Sequence, residues 1–197
     1  MLNIAVLVSG GGTNLQAILD SEARGENPNG KVTLVVSSKP EVYALERAAA
    51  AGVKSVVVSR KNFADSVAFD EALTAVLKEH AIDLVVLAGF LSVLGPSVIA
   101  AYPNRIVNVH PALIPSFCGA GMYGLRPHQA CLERGCKVTG ATVHYVNEEC
   151  DGGPILLQKA VEVLPNDTPE LLQKRVMEQA EWKILPQAIA MICNGEL

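Results

Sequence analysis

Ile4-Ala5-Val6-Leu7-Val8-Ser9-Gly10-Gly11-Gly12-Thr13-Asn14 carries an unbroken apolar run straight into three glycines and the start of a helix. An apolar run without alternation marks a strand covered on both faces, as in a parallel sheet. Similar runs recur at 32–36, 55–58, 84–87 and 106–109. Helical stretches separate them. One begins at Asn14 with Leu15, Ile18 and Leu19, and others span 42–51 and 96–101. Another places Phe69, Leu73, Val76 and Leu77 at helical spacing, with Asp65 or Ser66 available as its cap. This alternation predicts an α/β fold, a Rossmann-like and mostly parallel sheet with helices on both faces.

The second half changes character. Residues 111–125 hold two prolines, three glycines and few periodic apolar residues, and read as a long loop of functional length. A helix follows over 126–134, then strands over 138–146 and 155–163 separated by 147–154. Thr168-Pro169-Glu170 starts a last helix, whose apolar face is Leu172, Val176, Ala180 and Ile184 and which Pro186 is expected to kink.

Half of the 197 residues are hydrophobic, which suits a single domain over 1–197. The net charge of −4 offers no footprint for nucleic acid or an anionic membrane. The longest apolar run, 84–94, is interrupted by Gly89 and Ser92 and falls short of the ~20 residues a bilayer requires. The start lacks the basic residues of a secretory signal. Five cysteines without a CxxC argue against a disulfide framework, and a cytoplasmic protein is expected. No Cys/His pair has ligand spacing, so no metal is expected. Cys150, beside Asp151, reads as a nucleophile or, more simply, as a small buried hydrophobe.

Two stretches carry chemistry. In Asn108-Val109-His110-Pro111, strand alternation puts Asn108 and His110 on one face, about 6–7 Å apart along the backbone. Pro111 ends the strand there. With Asp151 of Asp151-Gly152-Gly153 they supply an amide donor, an imidazole and a carboxylate, a set suited to negative charge developing on a carbonyl oxygen. Each also has a structural reading, as a loop cap, a strand-end histidine and a turn. His144 either supports this cluster or is a core histidine. His128 is ambiguous, His80 reads as solvated and Trp182 as core. The glycine loop fits an anion at a helix start, or a ligand-free tight turn. A dinucleotide fingerprint would need glycine where Leu15 stands, and a P-loop would need a lysine before Thr13. A small phosphorylated substrate fits better.

The residues resemble the folate-dependent phosphoribosylglycinamide formyltransferases. The similarity runs end to end through Ser9-Gly10-Gly11-Gly12-Thr13-Asn14-Leu15, Ala88-Gly89-Phe90 and Asn108 to Pro115, then through Gly140-Ala141-Thr142-Val143-His144 and Asp151 to Ile155. The resemblance implies the formyltransferase fold. It implies transfer of a formyl group from 10-formyltetrahydrofolate to the amine of glycinamide ribonucleotide, without metal or ATP. It maps the catalytic triad onto Asn108, His110 and Asp151. The ribonucleotide falls on Gly12, Thr13, Asn14 and Glu181. The folate falls along Leu91, Ser92, Val93 and Leu94, the loop Asn147, Glu148, Glu149, Cys150 and Asp151, and Asn108. Thus the N-terminal half would bind ribonucleotide, while the C-terminal half would bind folate and catalyse. Ser66 and Ser92 stand where some members carry arginines near the folate, so its tail is expected to be held differently here, with Arg60 or Lys61 as candidate sources of charge. Nucleic-acid and membrane partners are not implied, and a monomer and a homodimer both remain open.

Methionyl-tRNA formyltransferase and formyltetrahydrofolate hydrolase share the triad. The first is expected to need a basic RNA-binding domain and the second an N-terminal regulatory domain, and neither is expected here. A non-catalytic nucleotide-binding module is the rival from another class.

Overall fold

A computed structural model describes all of residues 1–197. The first strand, β1 (Leu2–Val8), is central because its side chains alternate between two apolar layers. Ile4, Val6 and Val8 join one core with Leu15 and Ile18, while Ala5 and Leu7 face the other with Phe69 and Leu73. β2 (Gly30–Ser37), β3 (Lys54–Val57), β4 (Leu84–Leu87) and β5 (Ile106–His110) are parallel to it. β6 (Val138–Tyr145) and β7 (Ile155–Glu162) add antiparallel strands beyond β5. The order is β3-β2-β1-β4-β5-β6-β7. The helices are α1 (Thr13–Ala23), α2 (Tyr43–Ala50), α3 (Ser66–Glu79), α4 (Pro96–Ala101), α5 (Arg126–Glu133), α6 (Pro169–Val176) and α7 (Trp182–Cys193).

The order reverses at β1. The chain leaves β1 for β2 on one side and returns to β4 on the other, so a crevice opens at the carboxyl ends of β1 and β4. The glycine turn leaves β1 there, and residues 88–95 leave β4 beside it. Ser9 joins them: its hydroxyl pairs with the Ser38 hydroxyl at 2.6 Å and accepts the Leu91 N–H at 2.9 Å. Asp70 anchors the far end of the second segment. Its buried carboxylate accepts the N–H groups of Gly95 (2.7 Å), Ser97 (2.7 Å) and Val98 (3.3 Å), capping α4.

Asp65 caps α3, accepting the Ala68 N–H at 2.8 Å, and Thr168 caps α6 through the Leu171 N–H. The last helix departs from expectation. Pro186 lies inside α7, and the irregularity lies upstream, where Met177–Glu181 forms a π-helical turn between α6 and α7. Leu172, Val176, Ala180 and Ile184 repeat every four residues and are all buried. A regular α-helix would rotate such a series by ~40° per step, and a wider turn holds it on one face. His80, read as solvated, is half-buried and its Nδ1 lies 2.9 Å from the Val76 carbonyl. No helix is long and apolar enough to cross a membrane.

Candidate active site

A cleft of about 700 Å³ occupies the crevice. Its walls are the glycine turn, residues 87–94, the end of β5, part of the 111–125 loop, the β6–β7 turn and the inner face of the π-turn.

β5 and β6 pair Asn108 directly opposite His144 and His110 opposite Thr142. Asp151 comes from the β6–β7 turn. The chain doubles back so tightly that a Cβ on Gly153 would overlap the Tyr145 carbonyl, and one on Gly152 would lie 2.6 Å from the Glu149 side chain. Asp151 itself has φ 56°, a left-handed conformation that aspartate tolerates better than most residues. The two glycines therefore make the hairpin that swings the carboxylate onto β5.

Four side chains meet there. Asp151 Oδ2 lies 3.4 Å from His110 Nδ1, and Asp151 Oδ1 lies 3.5 Å from His144 Nε2 and 3.4 Å from Asn108 Nδ2. The Gly119 N–H donates to Asp151 Oδ2 at 2.9 Å. Burial pushes the Asp151 carboxyl up, but the His144 and Gly119 donors and the charges of His110 and His144 outweigh it, leaving it below the usual carboxylate range. His110 Nε2 donates to the Phe117 carbonyl at 2.8 Å. Both its nitrogens thus face acceptors, a pattern an imidazolium fills. His144 is set differently. Its Nδ1 donates to the Tyr145 carbonyl at 2.8 Å, and its Nε2 lies 3.5 Å from Asp151 Oδ1 and 3.2 Å from Asn108 Nδ2, donating to the carboxylate in the charged ring and accepting from the amide in the neutral one. Because Asp151 only accepts, the Asn108 amide turns its nitrogen toward this pair.

On the opposite wall, Gly12 (φ 71°) ends the turn, and the first intrahelical bond of α1 runs from Gln16 N–H to the Gly12 carbonyl at 2.9 Å. The N–H groups of residues 13–15 precede that bond. Asn14 Nδ2 donates to Glu181 Oε2 at 2.7 Å, so two distant parts of the chain meet at one point of the cleft. Burial raises the Glu181 carboxyl to about 7, against the lowering effect of the Asn14 bond. Asn14 Oδ1 is buried without a partner.

Leu91, Ser92, Val93 and Leu94 line the cleft, with Leu91 and Val93 exposed as an apolar wall, and Asn147, Glu148, Glu149 and Cys150 form the rim. Cys150 is exposed rather than buried, and its thiol is pushed up by desolvation and by Asp151, which disfavours the nucleophilic thiolate. Ser66 lies outside the cleft wall. Asp65 takes the cap, leaving Ser66 exposed as the first residue of α3. Arg60 and Lys61, in a short 3₁₀ turn, do not line the cleft either. His128 is fully buried with neither ring nitrogen partnered. Burial, then the charge of His110, lowers it to about 4 and keeps it neutral. Sequence reasoning missed the backbone groups that hold the cluster, Phe117 C=O and Gly119 N–H, because a loop's carbonyls and amides have no side-chain signature.

The family model described as formyl transferase matches residues 2–189. Phosphoribosylglycinamide formyltransferase of Haemophilus influenzae is 41% identical over 197 residues, covering 100% of this chain and 90% of that protein. The chloroplastic phosphoribosylglycinamide formyltransferase of Arabidopsis thaliana is 41% identical, and the chain covers 66% of its length. Among solved structures, glycinamide ribonucleotide transformylase 1 of Symbiobacterium toebii superposes with a TM-score of 0.93 at 44% identity, over 99% of this chain and 89% of that one. By matched length, identity and fold alike, the chain belongs to the formyl transferase family.

Proposed function

We propose that the chain transfers the formyl group of 10-formyltetrahydrofolate to the amine of glycinamide ribonucleotide. One observation carries the reading. An amide, an imidazole and a carboxylate converge within 3.4 Å at one wall of a cleft whose opposite wall is a glycine-rich helix start. The relatives named as phosphoribosylglycinamide formyltransferases support the choice of acceptor.

The roles follow from the residue types. When the amine attacks the formyl carbon, negative charge develops on the formyl oxygen. Asn108 Nδ2 and the His110 cation donate to it. Asp151, ionised and facing both, stabilises that cation and accepts the proton the amine loses, directly or through water. His110 or Asp151 returns a proton to the folate nitrogen as it departs. The N–H groups of Gly12, Thr13 and Asn14 and the Thr13 hydroxyl hold the phosphate, with Glu181 bonding the sugar hydroxyls. The exposed apolar side of Leu91 and Val93 takes the flat face of the folate, and the 147–151 loop borders it. One domain would thus hold both substrates in one cleft, the ribonucleotide between the start of α1 and Glu181 and the folate between residues 91–94 and the 147–151 loop.

A formyl-transfer assay offering glycinamide ribonucleotide, water or charged initiator tRNA as acceptor tests the reading. Transfer to the ribonucleotide alone is expected. Equal or faster transfer to tRNA or water would overturn it.

A further inference from the structure

Both substrates proposed above are anions, yet no lysine or arginine lines the cleft, and Glu148, Glu149, Asp151 and Glu181 do. The phosphate therefore has to be met by backbone N–H groups, whose value depends on where they point. Three glycines in succession do not hold a direction by themselves. Something outside the cleft must set it.

α2 does so. The Ala44 N–H donates to the Gly10 carbonyl at 3.2 Å. Arg47 Nε donates to the Gly11 carbonyl at 2.9 Å, and its Nη1 donates to Gln16 Oε1 at 2.9 Å. The guanidinium also lies 4.8 Å from the centre of the Tyr43 ring, so a helix, a ring and two acceptors hold it. Gly12 is pressed against the same helix; a Cβ there would lie 2.7 Å from Ala44 Cβ. In a trans peptide the C=O of one residue and the N–H of the next point in opposite directions. Turning the Gly10 and Gly11 carbonyls toward α2 thus turns the Gly11 and Gly12 N–H groups away from it. Gly10 to Asn14 line the cleft and Arg47 does not, so Arg47 stands behind the turn.

We infer that Arg47 is a positioning residue for the phosphate: by holding the Gly11 carbonyl against α2 it aims the Gly12 N–H into the cleft, while its charge lies directly behind the turn. The inference rests on the proposed function for the identity of the phosphate's owner. An arginine suits the task because Nε and Nη1 diverge to two acceptors at once, which a lysine ammonium does less well.

The test compares wild type with Arg47→Ala, Arg47→Lys and Arg47→Gln in steady-state kinetics and thermal melts. Calorimetric titrations use glycinamide ribonucleotide, the riboside lacking phosphate, and inorganic phosphate. Arg47→Ala is expected to raise the ribonucleotide KM and Kd about tenfold, the loss of roughly one good bond. Affinity for the riboside, the folate KM and kcat should stay within about twofold, a split that a merely structural staple would not produce. Arg47→Gln, which restores a donor without charge, should recover part of the loss, and Arg47→Lys, whose charge and donors sit on one nitrogen, another part. If Arg47→Ala melts too low to assay, Gln16→Ala removes one anchor of the guanidinium from outside the turn and should move phosphate affinity in the same direction by about two- to threefold. Equal loss for ribonucleotide and riboside, or phosphate affinity identical in wild type and Arg47→Ala, overturns the role of Arg47. Wild-type protein that binds phosphate but not the ribonucleotide would instead refute the proposed function.

Discussion

Asn108 has two amide protons, and both face acceptors within the cluster: His144 Nε2 at 3.2 Å and Asp151 Oδ1 at 3.4 Å. The second contact is long for a hydrogen bond, so that proton is the one a developing oxyanion can draw away. On this account Asn108→Ala lowers kcat by about 10²–10³, with both KM values moving much less. Steady-state kinetics check it, and an undiminished kcat would remove the amide from the chemistry. Glu181 supports a different expectation. Its carboxyl is raised from 4.5 to about 7, so ionising it in the folded protein costs stability. The cost is absent below the unfolded pKa, grows through the interval and is complete above about 7. Glu181→Gln should therefore be more stable than wild type near pH 8, by something on the order of 3 kcal/mol, and no more stable near pH 4. Paired thermal melts at the two pH values decide it, and a gain independent of pH would mean that the carboxyl is not forced to ionise. The triad is legible in sequence because strand alternation aligns Asn108 with His110 and two glycines announce the turn at Asp151. His144 is not, since its place depends on the register that sets it opposite Asn108.

At the scale of elements, the β6–β7 turn and the π-turn deliver the parts. The turn admits no side chain at Gly153, where a Cβ would overlap the Tyr145 carbonyl. Gly153→Ala must open the hairpin that carries Asp151, and is expected to cost about 1–3 kcal/mol, as overpacking does. Turnover should fall as well, because the carboxylate moves off His110. A thermal melt combined with kcat checks both, and a destabilised variant with full kcat would separate the hairpin from the chemistry. The π-turn carries Met177 and Glu181 to the cleft, and Glu181 from there reaches Asn14 at the start of α1. Its sequence trace is the fourfold spacing of Leu172, Val176, Ala180 and Ile184, which looks like an ordinary apolar stripe until the accumulated rotation is counted. Pro186 is the more conspicuous residue, and it drew the expected kink to itself. Proline removes one donor locally, whereas the surplus residue must be absorbed where the buried series demands it. Helix starts read more faithfully, since Asp65 and Thr168 cap α3 and α6 through bonds local in sequence.

Across the whole molecule, five parallel strands were readable as apolar runs separated by helices, and the crevice followed from the reversal at β1. The residues that line that crevice include four acids and no lysine or arginine, and the protein as a whole bears a net charge of −4. Charge of this kind cannot be inferred from motifs, because it depends on which surface residues share one opening. Glycinamide ribonucleotide, with its phosphate, therefore approaches a protein of its own sign, and attraction begins only where the backbone N–H groups and the fixed Arg47 act at short range. Salt shortens the reach of the repulsion, with a Debye length of about 30 Å at 0.01 M falling to about 10 Å at 0.1 M. It weakens the close contacts less. Hence kcat/KM for the ribonucleotide is expected to stay flat or rise up to about threefold as ionic strength goes from about 20 to about 200 mM, where an enzyme that steers its substrate would lose rate steeply. Stopped-flow association rates over the same range give the cleaner readout, free of the chemical step. A decline of about tenfold or more would mean that surface cations beyond the cleft gather the substrate, and the short-range account of phosphate capture would have to be abandoned.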